Sequence, residues 1–97
     1  MRVIARKTLR DYWEKESGAE QELKAWFAEA EAAEWETPAD VKEKYGNASV
    51  LKDGRVVFNI CGNNYRLVTR INYSFQTIYI RFIGTHKEYD KIDAQTI

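Results

Sequence analysis

Arg55-Val56-Val57-Phe58-Asn59-Ile60-Cys61-Gly62-Asn63-Asn64-Tyr65-Arg66-Leu67-Val68-Thr69-Arg70-Ile71-Asn72 decides the architecture. β-Branched and aromatic residues dominate both halves, and Cys61 to Asn64 is rich in turn formers, so the stretch predicts two antiparallel strands joined by a tight turn. Upstream, Asp53-Gly54 separates Val50-Leu51-Lys52 from the first strand. Both turn residues tolerate positive φ, which makes this a second hairpin. Downstream, Tyr73 to Gln76 forms a loop and Thr77 to Ile83 a further strand. Gly84-Thr85 then releases the chain into a short helix or turn over His86 to Ile92.

Before residue 46 the apolar period is 3.6 rather than 2. Leu9, Tyr12 and Trp13 predict a helix over about 6–16. Ser17-Gly18-Ala19-Glu20 reads as a stop followed by a capping box, with Ser17 as N-cap. Leu23, Trp26, Phe27, Ala30 and Ala33 form the stripe of a second helix reaching about Trp35. Thr37-Pro38 starts a third, short helix that Gly46-Asn47 ends. Val3-Ile4-Ala5 has the composition of a short opening strand. Helices first, then a meander, predict an α+β fold with N-terminal helices packed on one face of an antiparallel sheet. A chain of 97 residues supports one such core, so residues 1–97 are expected to form a single domain.

Composition narrows the function classes. No apolar run approaches the ~20 residues of a membrane span, and the first residues lack a signal-peptide stretch, so a cytoplasmic protein without membrane attachment is expected. One cysteine excludes an internal disulfide and a multi-cysteine zinc site. No dinucleotide or P-loop fingerprint is present, and one histidine among scattered carboxylates lacks metal-ligand spacing, so no cofactor and no metal are expected. The net charge is zero. Residues 1–48 nevertheless carry 8 basic against 11 acidic side chains, and residues 49–97 carry 7 against 4.

Strand parity localises that surplus. If the most apolar set of each strand packs beneath the helices, the other face gathers Arg55, Asn59, Arg66, Arg70, Tyr79 and Arg81. Such a face suits RNA, with guanidinium forks on phosphates and tyrosine on a base. It equally suits an acidic protein, or a solvated surface whose arginine stems cover Val57, Val68 and Ile83. A second cluster follows directly: Thr85-His86-Lys87-Glu88-Tyr89-Asp90. With Arg66 or Arg81 as cationic clamp, His86, Tyr89 and Asp90 offer the base and acid needed for RNA cleavage by its own 2′-OH. The plain alternative has His86 capping a helix and Tyr89 packing on the core. A Cys61–His86 nucleophile pair is disfavoured by the separation of the two residues.

Val57 to Val68, Ile78 to His86 and Glu88 to Asp93 together resemble the HigB family of bacterial toxins, within the RelE-like group. The resemblance is strongest over about 56–93, through V-F-N-I-x-G-N-x-Y-R-L and T-H-x-E-Y-D. It implies a microbial-RNase-like fold and a metal-independent mRNA interferase, an endoribonuclease acting in most members on mRNA in the ribosomal A site. The products would be a 2′,3′-cyclic phosphate and a 5′-OH. Arg66 and Arg81 match the family's sheet arginines, and His86, Tyr89 and Asp90 its C-terminal motif, making these five the implied catalytic set. Arg55, Asn59, Arg70 and Tyr79 of the parity face are the further expected RNA contacts, and Lys87, standing where the motif often has a small residue, is expected as a secondary phosphate contact. The implied partner is a cognate antitoxin with a helix-turn-helix part, through which alone operator DNA would be bound. Many ribosome-dependent toxins are strongly basic; zero net charge departs from that and leaves cleavage of free RNA open. A non-catalytic RNA- or antitoxin-binding module on the same fold is the alternative.

Overall fold

A computed structural model describes residues 1–97. The elements in chain order are β1 (Arg2–Ile4), α1 (Arg6–Lys15), a 3-10 turn (Ser17–Ala19), α2 (Glu20–Ala32) and α3 (Pro38–Lys44). They are followed by β2 (Ser49–Val50), β3 (Arg55–Ile60), β4 (Tyr65–Asn72), β5 (Thr77–Thr85) and α4 (His86–Tyr89). The strands form one sheet in the order β1-β5-β4-β3-β2. The fold is the expected α+β, but the sheet is mixed: β1 pairs parallel to β5, with Arg2 opposite Thr77 and Ile4 opposite Tyr79. The helices between β1 and the meander carry the chain over one face, which is what permits a parallel return. No helix is long and apolar enough to cross a membrane.

The local chemistry explains most boundaries. Thr37 caps α3 in a reciprocal capping box with Asp40, and Pro38 occupies the first turn. At the start of α2 the expected box is absent: Ser17 forms no side-chain cap and lies in the 3-10 turn instead. Asp53 and Gly54 take φ of 57° and 76°, the pair of positive values a two-residue hairpin turn requires. Beneath the helices, Trp26, Trp35 and Tyr45 surround Phe58, with ring centroids 5.3, 6.3 and 5.2 Å from it. Leu9, Leu23, Val41, Val56, Leu67 and Ile78 are fully buried around this aromatic centre.

The second face of the sheet is not open. A β-bulge lies opposite Val68/Thr69, where Val68 pairs with Phe82 and Thr69 with Ile80, leaving Arg81 as the extra residue. Beyond it the side chains exchange sides, so Ile83 packs on the helix-covered core and Phe82 on the opposite face. There Phe82 joins Val57, Val68, Tyr89, Ile92, Ala94 and Ile97 in a smaller core, because residues 90–97 fold back across the sheet. Arg55 is the main correction to the expected RNA-binding face. It is only 9% exposed, and its Nη1 donates to the carbonyls of Ala94, at 3.1 Å, and Ile97. A buried guanidinium needs such partners, and those available are backbone oxygens of the returning segment.

Burial also acts on the phenols. It raises Tyr12 to about 12, and raises Tyr45, Tyr65 and Tyr73 above the usual tyrosine range, with nearby carboxylates adding to the effect. An acid with a higher pKa folded than unfolded contributes stability that is whole below the unfolded value of ~10 and lost as pH rises toward the folded one. Phenolate absorbance and far-ultraviolet circular dichroism should therefore change together between about pH 10 and 12. Early phenolate formation from all tyrosines with unchanged dichroism would show that these rings are not withheld from water.

Candidate functional site

The site forms where the start of β4 meets the end of β5. Arg66 pairs with Gly84 across these strands and with Asn59 on β3. Gly84 is buried, and a Cβ there would stand 2.6 Å from Phe82 Cζ and 2.9 Å from Glu88 Oε1, so a larger residue would push the Phe82 ring and the Glu88 carboxyl from their places. Thr85 then caps α4: its side chain accepts from the Glu88 N–H at 3.1 Å, and Glu88 Oε1 accepts from the Thr85 N–H at 2.8 Å. These bonds pull the Glu88 carboxyl below the usual glutamate range, leading with the backbone bond from Thr85. The His86 N–H donates to the Asn64 carbonyl at 3.0 Å, which ties α4 to the β3–β4 turn.

On this frame four of the five implied catalytic residues converge. The Arg66 guanidinium lies 5.9 Å from the centroid of the Tyr89 ring, a cation–π placement. It is oriented by Asn63, which accepts from Nη2 through Oδ1 at 2.9 Å and from Nη1 through its carbonyl at 3.2 Å. His86 Nδ1 sits 3.2 Å from Asp90 Oδ2, one helical turn on. With Nδ1 turned toward this carboxylate, Nε2 is the ring nitrogen that faces away from it. His86 and Asp90 are exposed, while Arg66 and Tyr89 are half-buried. Asn59 flanks Arg66, its Nδ2 3.4 Å from the Asn47 carbonyl, and Lys87 is exposed on α4.

The remaining residues lie elsewhere. Arg81 occupies the bulge midway along β5, exposed, with Nε donating to the Ile97 carbonyl at 3.2 Å. Arg70 and Tyr79 pair with each other toward the far end of the sheet, in the row that includes buried Arg55. The four residue steps from Arg66 to Arg70 correspond to roughly 13 Å of strand, so the expected arginine face is divided into two ends. Asn63, Asn64, Thr85 and Glu88 shape the site and were absent from the expected set. Thr85-x-x-Glu88 was legible as a capping signature. Asn63 and Asn64 had no signal beyond turn propensity.

This arrangement sets a fixed guanidinium beside a phenol, with an imidazole–carboxylate pair on the same short C-terminal turn as the phenol. Comparison with known proteins gives the same direction. Residues 19–92 match the HigB toxin family, described as the RelE-like toxic component of a toxin–antitoxin system. The mRNA interferase toxin HigB of Escherichia coli (strain K12) is 34% identical over 96 residues, covering 97% of this chain and 92% of its own. The mRNA interferase HigB of Shigella flexneri matches with the same identity and coverage. Together with the helix-covered sheet and its capped C-terminal turn, these matches show that the chain belongs to the HigB family of RelE-like toxins.

Proposed function

We propose that this chain is the toxin of a toxin–antitoxin pair and an mRNA endoribonuclease that arrests translation, and that Arg66, His86, Tyr89 and Asp90 form its active site. The convergence of Arg66 and Tyr89 with the His86–Asp90 pair carries the reading, in a chain whose relatives bear the name mRNA interferase. The 2′-hydroxyl of the target nucleotide gives its proton to His86 Nε2, and its oxygen attacks the adjacent phosphorus. Arg66 holds the non-bridging oxygens as charge builds on them. Tyr89 donates a proton to the departing 5′-oxygen. The P–O5′ bond breaks, leaving a 2′,3′-cyclic phosphate and a 5′-hydroxyl. Asp90 keeps the imidazole oriented and stabilises it once protonated. Arg81 and Lys87 add phosphate contacts at the periphery, and Asn59 borders the site on β3.

The substrate is mRNA, presented in the ribosomal A site, and a cognate antitoxin with a helix-turn-helix part restrains the toxin. The test is a defined mRNA incubated with purified protein and EDTA, with and without translating ribosomes, its ends mapped chemically. Codon-phased cuts bearing cyclic phosphates only with ribosomes are the expected result. Cuts in both mixtures would keep the chemistry and discard ribosome dependence. No cuts in either, from folded protein, would sink the enzymatic reading and favour a binding module.

A further inference from the structure

At the end of the sheet away from α4, the β4–β5 turn holds out Phe75, which is 79% exposed. Its exposure is built rather than left over. The Phe75 N–H donates to Asn72 Oδ1 at 3.1 Å, and its carbonyl accepts from Thr77 Oγ1 at 3.0 Å. Gln76 Nε2 ties the same turn to the carbonyls of Trp35 and Tyr73, at 2.7 and 3.0 Å. Two arginines flank it. The Arg2 N–H donates to the Gln76 carbonyl at 2.9 Å, which sets Arg2 beside the turn, and Arg70 shares a cavity of about 470 Å³ with Ser74, Tyr73 and Leu51. That volume is within the roughly 300–1,000 Å³ of ordinary ligand pockets. Both arginines are exposed, and the five ion pairs of the fold include neither, nor Asp53 on the same cavity.

We infer that this end of the sheet is an accessory subsite for single-stranded RNA, stacking an unpaired base on Phe75 and taking the flanking phosphates on Arg2 and Arg70. An exposed aromatic on a hydrogen-bonded turn, with arginines outside any ion pair on the strands that adjoin it, supplies the two elements that base stacking with phosphate neutralisation requires. Residues 90–97 cover the middle of this face over Val57 and Val68, so a strand engaging both ends would pass along β5 by Tyr79 and the exposed Arg81 toward Arg66, roughly 20 Å away along β4. The inference rests on the ribonuclease reading and adds to it a second contact remote from the chemistry. Phe75 is also the type of residue that anchors protein interfaces. The cations that no ion pair takes up, with Arg70 in the half of the chain with surplus positive charge, favour RNA.

The test uses two probes that need no cleavage: a fluorescent RNA of about ten nucleotides with 2′-O-methyl sugars, and vacant ribosomes. Phe75→Ala should bind at least one probe about tenfold more weakly, Phe75→Trp should restore it, and Arg70→Ala should lower the salt dependence by about one released counterion. A loss confined to the oligonucleotide identifies the mRNA itself as occupant, and one confined to ribosomes identifies ribosomal RNA. Unchanged binding of both probes by Phe75→Ala overturns the inference, as does weakened binding of the cognate antitoxin in place of RNA. Because Phe75 is almost wholly in solvent, its loss leaves folding intact. Mapped ends from the wild-type protein report separately on the ribonuclease reading.

Discussion

Arg66→Ala is expected to reduce mRNA cleavage by roughly 10²–10³-fold, the loss found when one preorganised donor to a developing oxyanion is removed. The size of the effect follows from preorganisation. Asn63 already holds the guanidinium by two bonds, at 2.9 and 3.2 Å, so little ordering remains to be done when a phosphate arrives. Arg66→Lys should recover only a small part, since an ammonium cannot reproduce the planar fork. Folding should be nearly unaffected, because the lost bonds are to a surface turn. Arg81→Ala should cost less, as it stands at the bulge midway along β5 and not beside Gly84 and α4. Initial rates on translated mRNA, alongside thermal melts, provide the check. Full activity in Arg66→Ala would remove this residue from the chemistry.

Gly54→Ala should have the largest effect on stability, about 3 kcal/mol or more. A left-handed backbone costs an ordinary residue roughly 1–2 kcal/mol, and Gly54 has φ +76°. The new Cβ would also lie 2.4 Å from the Ile71 carbonyl oxygen, a backbone atom of β4 that cannot rotate away. Relief requires separating the hairpin from β4, which breaks the 2.8 Å bond from the Ile71 N–H to the Gly54 carbonyl. In a domain of this size the melting temperature should fall by about 12–24 °C. A drop of only a few degrees would mean that the turn relaxes at little cost.

How much the sequence disclosed depended on how local the cause was. The Asp53-Gly54 turn, the Thr37-Pro38 helix start and the helix stripes are set by neighbours in sequence and are found where their residues predict, except that α2 stops at Ala32, short of the expected Trp35. The bulge at Arg81 carries no glycine or proline to mark it. A strict period of two therefore placed Phe82 with the helices and Ile83 opposite, the reverse of what packing selects. Arg55 shows the same limit at longer range. Alternation correctly assigned it to the second face, but its partners lie 39 and 42 residues away, and no pattern announced that residues 90–97 would return to cover it. The site divides along the same line. His86, Tyr89 and Asp90 share one short stretch and stay together, whereas Arg55, Arg70 and Tyr79 fall away from it because β4 and β5 run the length of the sheet.

The parallel pairing of β1 with β5 governs how a newly made chain acquires activity. Residues 2–4 are made well before their strand partners, residues 77–79, which are translated roughly 4–15 s later at about 5–20 residues per second. Until then the helices have no completed sheet to pack on, and Arg66 has no β5 beside it. Closing so long a loop late also raises the contact order and slows the final step. The nascent polypeptide is thus inert until β5 has been made and has paired with both β1 and β4.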